Sequence, residues 1–277
     1  MSELLPVTVV VPIKNEALNL PTCLSTLKGF ERVIVVDSGS SDDSAEIARS
    51  FGAEVVEFKW NGQFPKKRNW MLRNHPISTP WVLFLDADEQ IPPAFIAELR
   101  QILPQTSCNG FWVPFDNYFM GRLLRHGDKF RKLPLLRVGK GEFEQIYEQA
   151  WSQLDMEVHE HLIVEGKVGE LKSALVHSDF KNLEAYYARH NQYSSWEANR
   201  FLSLSRDATN HFTPRQKIKY KLLKSPIFPL LYFCGSYIGK RGFLDGFPGF
   251  RFAVSKMFYF YQIGFKIAEK EQQSERS

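Results

Sequence analysis

The sequence has few cysteines and no long hydrophobic run, and both absences narrow the classes of protein to consider. The three cysteines, Cys23, Cys108 and Cys234, lie far apart and form no CxxC pair. This pattern argues against a disulfide framework or a cysteine-based zinc site, and it favours a reducing compartment. The longest apolar stretch near the C-terminus, Pro226 to Ile238, has about 13 residues, whereas a bilayer span needs about 20. We therefore predict no transmembrane helix.

The amino-terminal segment lacks the features of an export signal. It has no basic n-region and no small-residue cleavage site, and it soon enters an apolar run, Val7 to Ile13. We expect a chain without a signal peptide that works in the cytoplasm. The sequence also has no internal repeat and no low-complexity segment. Its 277 residues allow one large domain or one domain with an extension.

Charge is distributed unevenly along the chain. Residues 213–270 contain eleven Lys/Arg and two acids, a local charge of +9, so the rest of the chain carries −5 within the total of +4. The same segment holds fourteen Phe/Tyr residues. Lysines interleaved with aromatic rings suit the interface of an anionic bilayer. The alternative is that helices of this segment pack on a catalytic domain while their lysines face solvent. No nucleic-acid-binding motif is present, so we expect no nucleic-acid partner.

The first hundred residues alternate apolar runs with helical patterns, which predicts an α/β fold with a mostly parallel sheet. Ligands of such sheets bind beyond the carboxyl ends of the strands. The predicted strands are Val7 to Ile13, Arg32 to Val36, Glu54 to Phe58 and Trp81 to Leu85. The predicted helices are Leu18 to Leu27, Ser41 to Phe51, Pro65 to Arg73 and Pro92 to Leu103.

The pattern changes after Pro104. Gly110 to Pro114 is strand-like, whereas Phe115 to Lys140 is predicted to be rich in loops and basic residues. Asn182 to Leu204 predicts one long helix that carries many aromatic residues. At helical spacing, these aromatic residues form either part of a core or an acceptor groove.

Acidic residues follow three of the predicted strands, at Glu16, Asp37 and the pair Asp86 and Asp88. Alternate positions at a strand end can direct one carboxylate to a ribose and the other to a divalent cation shared with substrate phosphates. The other interpretation is that Asp86 and Asp88 only form a turn and cap the following helix. The two acidic strand ends nearby favour metal or nucleotide binding.

Three consecutive cations, Lys66, Lys67 and Arg68, stand at the start of a predicted helix. The helix dipole disfavours cations there unless an anion is present, and a diphosphate would supply that anion. The alternative is a solvated basic face. Asp37 can accept a hydrogen bond from a base N–H or act as a turn residue, and Glu16 can accept from a ribose hydroxyl or stabilise a helix start.

The motifs of residues 7–100 resemble, in sequence and in order, the inverting glycosyltransferases of family 2, which have the Rossmann-like GT-A fold. The matching segments are Val9 to Glu16, Val35 to Asp42, Lys67 to Asn69 and Phe84 to Glu89. Val158-His159-Glu160, His177 and the segment Lys240 to Gly246 resemble a narrower subgroup, which includes bacterial lipopolysaccharide core glucosyltransferases that modify heptose.

The resemblance implies a role for each matching residue. Pro12, Glu16 and Asp37 would line the base and ribose pocket, Asp86 would lie near the ribose, Asp88 would hold Mn²⁺ or Mg²⁺, and Lys67 and Arg68 would lie near the phosphates. The donor would be a UDP-sugar, with glucose the first guess. Glu160 is the candidate general base and Glu157 the second choice. His159 and His177 are either metal or phosphate ligands or packed side chains.

We therefore expect residues 1–212 to form the catalytic domain, with a nucleotide half (1–105) and an acceptor half (106–212). Residues 213–277 would form a helical extension that associates with the membrane. The expected reaction transfers a sugar to a lipid-linked glycan, such as a lipopolysaccharide core, at the cytoplasmic face of the inner membrane. Two alternatives stay open, namely a polyprenyl-phosphate sugar synthase of the same fold and a non-catalytic scaffold that binds nucleotide sugars.

Overall fold

The computed structural model describes residues 3–146, 161–178, 182–204 and 214–276. The described residues fall into two compact units. The first comprises residues 3–117, 130–146 and 161–178, and the second comprises residues 118–129, 182–204 and 214–276.

The first unit is built on a sheet with helices along the chain between its strands. Its strands are β1 (Leu5–Ile13), β2 (Phe30–Asp37), β3 (Glu54–Glu57), β4 (Trp81–Phe84), β5 (Glu89–Gln90), β6 (Gly110–Phe119), β8 (Phe130–Arg137), β9 (Gly141–Phe143), β10 (Leu162–Val164), β11 (Val168–Glu170) and β12 (Leu175–His177). Its helices are α1 (Leu20–Ser25), α2 (Ser44–Ser50), α3 (Lys67–Asn74) and α4 (Pro93–Ile102). The last residues of β6 belong to the second unit, where they pair with β7 (Arg122–Leu123).

The sheet has the strand order β3-β2-β1-β4-β8-β6-β12-β5, and β11 pairs with β6. The first four strands are parallel, β8 runs antiparallel to both of its neighbours, and β12 is again parallel to β6. The α/β class with a mostly parallel sheet is confirmed. An apolar run such as that of β1 suits a parallel strand covered on both faces.

Helices cover both faces of the sheet. Val9 and Val11 of β1 belong to one core cluster, together with Leu24 of α1 and Leu99 of α4. Val10, which points to the opposite face, belongs to a second cluster with Met71 of α3 and other residues. Helix α3 therefore approaches the sheet from the face opposite to α1 and α4.

The prediction that Phe115 to Lys140 is loop-rich is wrong. Strand β6 continues to Phe119, and β8 covers Phe130–Arg137 in the centre of the sheet. Prolines at 114 and 134 and three cations in β8 conceal the strand pattern, because proline and charge are uncommon in central strands. All eight elements predicted for the first hundred residues, four strands and four helices, are present, with ends that differ by a few residues.

The second unit is helical. It contains α5 (Leu183–Ser203), α6 (Pro214–Leu222), α7 (Phe228–Phe233) and α8 (Gly246–Arg276), with a π-helical turn at Cys234–Gly239 and a 3-10 turn at Gly242–Asp245. Its core joins Ala198 of α5, Phe228 of α7, and Phe260 and Ile263 of α8. Among the described residues, no helix is both long enough and apolar enough to cross a membrane.

The segment Lys240 to Gly246 anchors an irregular loop of the second unit. The buried Asp245 carboxylate accepts hydrogen bonds from the backbone N–H groups of Arg125 and His126, at 3.1 and 2.8 Å, and contacts the His126 ring at 3.0 Å. Nearby, Asp128 accepts hydrogen bonds from Tyr232 and Lys240. This motif therefore fixes the loop that follows β7.

Candidate active site

The carboxyl ends of β1, β2 and β4 meet at one edge of the sheet. Ile13 pairs with Asp37 across the β1–β2 ladder, and the Ser38 N–H donates to the Ile13 carbonyl at 3.2 Å. On the other side of β1, the Leu85 N–H donates to the Val10 carbonyl at 3.0 Å. The three acidic strand ends are therefore neighbours, as the parallel topology predicts.

The loops after β1 and β2 hold each other in place. The Asn15 side chain accepts from the Ser41 N–H at 2.7 Å, and the Asn15 N–H donates to Ser40 Oγ at 2.9 Å. Asn15 has a φ of 57°, a left-handed conformation that asparagine tolerates better than most residues. The Glu16 N–H donates to Ser44 Oγ at 2.8 Å. These bonds give the acidic loops a defined geometry without any ligand.

Asp37 and Glu16 are both oriented by local hydrogen bonds. Asp37 is buried, and its Oδ1 accepts from the Ser40 N–H at 3.0 Å and from Ser40 Oγ at 2.6 Å. Glu16 Oε2 accepts from the Asn19 side-chain amide at 2.8 Å. Pro12 lies one residue before the end of β1, opposite Val36 of β2. The three candidates for the base and ribose pocket thus lie along the β1 and β2 ends.

Two of the three cations at the start of α3 are buried in the site. Lys66 and Lys67 are only 5% and 4% exposed, so the alternative of a solvated basic face is wrong for them. Lys67 Nζ donates to the Ile13 carbonyl at 2.9 Å, and the Arg68 guanidinium binds Asp86 Oδ1 at 2.7 Å. Two adjacent residues of α3 thus contact the end of β1 and the segment after β4.

Lys132 of β8 is the centre of an ion network that also includes Asp86 and Glu89. Its ammonium donates to Asp86 Oδ2 and to Glu89 Oε1, the latter at 2.6 Å. The other Glu89 oxygen accepts from the Asp86 N–H at 3.0 Å. Glu89 is only 1% exposed. Both oxygens of Asp86 are therefore bound to cations, one to Arg68 and one to Lys132.

Burial and ion pairing act in opposite directions on these three groups. Burial alone would raise the pKa of Asp86, but the Lys132 and Arg68 cations outweigh it and hold the pKa of that carboxyl well below its usual range. Burial raises the pKa of Glu89 to about 7, although Lys132 opposes this shift. Burial would lower the pKa of Lys132, but the carboxylates of Asp86 and Glu89 raise it well above its usual value.

Asp88, Glu89 and His177 bring possible metal ligands together. One ligand atom from each lies within 4.8 Å of the other two, and His177 Nε2 is 3.7 Å from Asp88 Oδ2. The pairing of β5 with β12 places His177 opposite Glu89. Because Lys132 and the Asp86 N–H already bind Glu89, Asp88 and His177 are the better donors. A carboxylate with an imidazole suits Mn²⁺ better than Mg²⁺, which prefers oxygen ligands.

Asn117 contacts the Asp88–His177 pair, and Cys23 lies near it. His177 Nδ1 lies 3.3 Å from Asn117 Oδ1, which orients the imidazole ring. Burial, and then the charges of Glu89, Asp88 and Asp86, raise the pKa of the Cys23 thiol far above its usual value. Cys23 is therefore a neutral neighbour of the acidic cluster and no thiolate ligand.

The site residues predicted from sequence have two outcomes. The structure brings Pro12, Glu16, Asp37, Lys67, Arg68, Asp86 and Asp88 to one edge of the sheet. Glu160, Glu157 and His159 lie outside the described residues. Lys132 was missed, although three carboxylates after one strand already require compensating cations nearby.

Comparisons with known proteins identify the family of this chain. Residues 8–159, more than half of the chain, match the family described as "Glycosyl transferase family 2". The chain belongs to this family and is a glycosyltransferase. It is 26% identical over 275 residues to the lipopolysaccharide core biosynthesis glycosyltransferase LpsC of Rhizobium meliloti, and the match covers 93% of each chain. The recognition of the family from its motifs is confirmed.

Two solved structures are also similar. A crystal structure of glucosyl-3-phosphoglycerate synthase from Mycobacterium tuberculosis, in complex with Mn²⁺, uridine diphosphate and glucosyl-3-phosphoglycerate, is 25% identical, with a TM-score of 0.31 over 42% of this chain and 44% of that one. The TarS 1–349 structure from S. aureus is 14% identical, with a TM-score of 0.43 over 96% of this chain and 91% of that one.

Proposed function

We propose that this glycosyltransferase transfers a sugar, with glucose the first candidate, from a UDP-sugar to a lipid-linked glycan with inversion at the anomeric carbon. The observation that carries the proposal is the single sheet edge where oriented Asp37, buried Lys67 and the Asp88–His177 pair lie together. Such an edge offers a carboxylate for a base, a cation for phosphates and two ligands for a divalent ion.

Donor binding follows from the positions of these groups. Asp37, held by Ser40, would accept a hydrogen bond from the base, while Pro12 and Glu16 line the base and ribose side. Lys67 and Arg68 would attract the diphosphate. Arg68 is bound to Asp86, so a diphosphate near it would compete with that carboxylate or share the guanidinium with it. Asp86 would then lie near the ribose and balance the charge of the Arg68 and Lys132 cations.

Asp88 and His177 are proposed to hold the divalent metal. The bound ion would neutralise the charge that develops on the departing diphosphate. Lys132 acts beside them by binding Asp86 and Glu89, which prevents these two carboxylates from repelling the phosphates. The chain's own residues thus separate two tasks, because Asp88 would hold the metal while Asp86 is neutralised by Arg68 and Lys132.

The transfer step needs a base on the acceptor side. The acceptor hydroxyl oxygen forms a bond to the anomeric carbon, the bond from that carbon to the diphosphate oxygen breaks, and UDP leaves with the electron pair. Glu160 is proposed to take the hydroxyl proton, with Glu157 as second choice. Both lie outside the described residues, so the proposal for them rests on the sequence motif.

The acceptor and the division of the chain are proposed on sequence grounds. The name of LpsC, with which the chain shares 93% coverage, supports a lipopolysaccharide core acceptor. We propose that residues 1–212 carry the reaction and that residues 213–277 form an extension that keeps the enzyme on the cytoplasmic face of the inner membrane. The phosphates and lipid chains of such an acceptor would hold the acceptor at the same membrane surface.

Product analysis tests the proposed reaction. Purified enzyme, Mn²⁺, UDP-glucose and a truncated lipopolysaccharide acceptor should yield UDP and a β-linked glucoside, because the donor is an α-glucoside and the displacement inverts. Retention of the α configuration would contradict the proposal. Transfer to polyprenyl phosphate but not to the glycan would favour the synthase alternative. UDP binding without turnover on any acceptor would favour the scaffold.

His177→Ala is expected to weaken Mn²⁺ binding by at least about 10- to 100-fold, because loss of only the contact that orients a ligand already has that effect in metal sites. The metal dependence of UDP release, measured by titration with Mn²⁺, reports the change. His75→Ala is the matched control, since His75 pairs with Glu54 elsewhere in the same unit. An unchanged Mn²⁺ requirement in His177→Ala would remove His177 from the metal site.

A further inference from the structure

The second unit presents a patch of exposed apolar side chains, from α7 to the start of α8, that its own core does not cover. We call the exposed side chains of this patch the aromatic face, which comprises Leu230, Leu231, Ile238, Phe243, Leu244, Phe247 and Phe250. They are between 39% and 60% exposed. Exposed large apolar side chains that are grouped together mark interaction sites.

Ring contacts join the three phenylalanines of this face through Tyr237. Tyr237 lies 5.6 Å from Phe250 and 6.3 Å from Phe243, measured between ring centroids, and Phe250 lies 6.2 Å from Phe247. Phe233, at the end of α7, stacks on Tyr237 at 5.3 Å. The π-helical turn, the 3-10 turn and the start of α8 thus form one support for the exposed rings.

Positive charge surrounds the aromatic face. Lys240, Arg241 and Arg251 are exposed, and the Arg251 guanidinium lies 4.1 Å from the centre of the Phe247 ring. The single acidic residue between Ser225 and Ala268 is Asp245, and its side chain is only 6% exposed because it binds the backbone of Arg125 and His126. Asp128, from the loop after β7, binds Lys240, so Arg241 and Arg251 carry the remaining positive charge of this surface.

This combination fits one kind of partner. Aromatic and leucine side chains beside arginines match the interface of an anionic bilayer, where rings enter the acyl boundary and cations bind lipid phosphates. A second copy of this chain fits less well, because a two-fold contact through this face would bring its arginines together. We infer that the aromatic face docks the second unit on anionic lipid. This inference identifies the surface through which the proposed membrane association occurs, and it rests on the proposed function.

The structure also narrows which cations can take part. Lys219 binds the buried Glu197 at 2.6 Å, and Lys224 binds Glu271 at 2.7 Å. Lys256 is half-buried and lies over the Phe252 and Tyr259 rings. These lysines therefore serve contacts within the unit, and the docking charge comes from Arg241 and Arg251.

Vesicle binding of the full chain tests this surface. Sedimentation with vesicles of phosphatidylglycerol and phosphatidylcholine is expected for wild type and not with phosphatidylcholine alone. Phe247→Ser and Arg241→Glu should each weaken partitioning about tenfold, whereas Phe265→Ser should leave it unchanged. Phe265 is the matched control because it is equally exposed on α8 but lies 18 residues beyond Phe247, about 27 Å along the helix.

Cys234 offers a second readout, since it is exposed next to Phe233 while Cys23 and Cys108 are buried. An environment-sensitive fluorophore on Cys234 should shift to shorter wavelength with anionic vesicles only. Equal partitioning of Phe247→Ser, Arg241→Glu and Phe265→Ser would overturn the inference. A dimer in solution that Phe247→Ser dissociates would also overturn it, in favour of an interface between copies.

Separate measurements test the proposed function and the docking inference. Calorimetric titration of UDP with Mn²⁺ on the same preparations should give equal affinity for wild type and Phe247→Ser. Protein that binds UDP but no anionic vesicles overturns the docking inference alone. Protein that sediments with anionic vesicles but binds no UDP overturns the proposed function and leaves the docking surface standing.

Discussion

Replacing Asp88 by asparagine is expected to lower kcat by about 100- to 1000-fold while the protein stays folded. The substitution keeps the shape of the side chain but removes its charge, so the proposed metal site loses its anionic ligand. Charge stabilisation by a bound metal amounts to several kcal/mol, and about 1.4 kcal/mol corresponds to a tenfold change in rate. The neighbours do not replace Asp88, because Asp86 and Glu89 are bound to Lys132. Initial rates of UDP release at saturating UDP-sugar measure the effect.

Asp116→Asn is the matched control for this substitution. Asp116 is exposed on β6, next to Asn117, which contacts His177. Because adjacent strand residues point to opposite faces, the Asp116 side chain is directed away from the proposed metal ligands. We expect its kcat to stay within about twofold of wild type. An Asp88→Asn enzyme with the activity of Asp116→Asn would contradict the assignment of the metal site.

Lys132→Met is expected to lower the free energy of unfolding by about 3 kcal/mol at neutral pH. Removing one partner of a buried ion pair leaves the other charge uncompensated, which costs about 3–5 kcal/mol, and the partial exposure of Lys132 favours the lower value. Chemical denaturation monitored by tryptophan fluorescence measures the loss. Lys167→Met, at an exposed position outside the network, should change stability by less than about 0.5 kcal/mol.

The pH dependence of this variant adds a second test. Burial already raises the pKa of Glu89 to about 7 in the presence of Lys132, and loss of the cation raises it further. A carboxyl whose folded pKa exceeds its unfolded value binds more protons when folded, so stability falls as pH rises through that window. The deficit of Lys132→Met should therefore grow above about pH 7. Adding Glu89→Gln should recover part of it, and a deficit that is independent of pH and of Glu89 would contradict the network.

The four parallel strands and their acidic ends could be predicted from sequence because both signals are local. Each of β1, β2 and β4 is largely an apolar run. Asp37 is the last residue of β2, and Asp86 and Asp88 come within four residues of the end of β4. Parallel strands share one carboxyl edge, so the convergence of these acids follows from topology alone. The class of fold and the family motifs needed no contact information.

Lys132 could not be predicted in the same way, because its role depends on pairing between distant segments. Strand β8 inserts between β4 and β6, more than 40 residues from the acids it contacts, and its prolines and cations hide its pattern. The contact between Asp88 and His177 depends on β5 and β12, strands of two and three residues. Strands this short have no periodicity to detect.

The basic, aromatic segment of residues 213–270 shows a further limit of sequence reasoning. Its composition indicated a membrane-facing segment, but composition does not separate cations bound inside the unit, such as Lys219, from those at its surface, such as Arg251. Contacts between helices determine which aromatic rings are buried in the core. Tyr259 and Phe260 are buried, whereas Phe247 and Phe258 are exposed on the same helix.

Calorimetric binding of UDP with and without Mn²⁺ tests the central claim most directly, which is that the acidic sheet edge is a metal-dependent nucleotide site. We expect UDP to bind wild type and Asp116→Asn more tightly when Mn²⁺ is present, and more tightly than GDP, CDP or ADP. In Asp88→Asn the effect of Mn²⁺ should disappear. Folded wild-type protein that binds no nucleotide, or Asp88→Asn that keeps the full effect of Mn²⁺, would contradict the account.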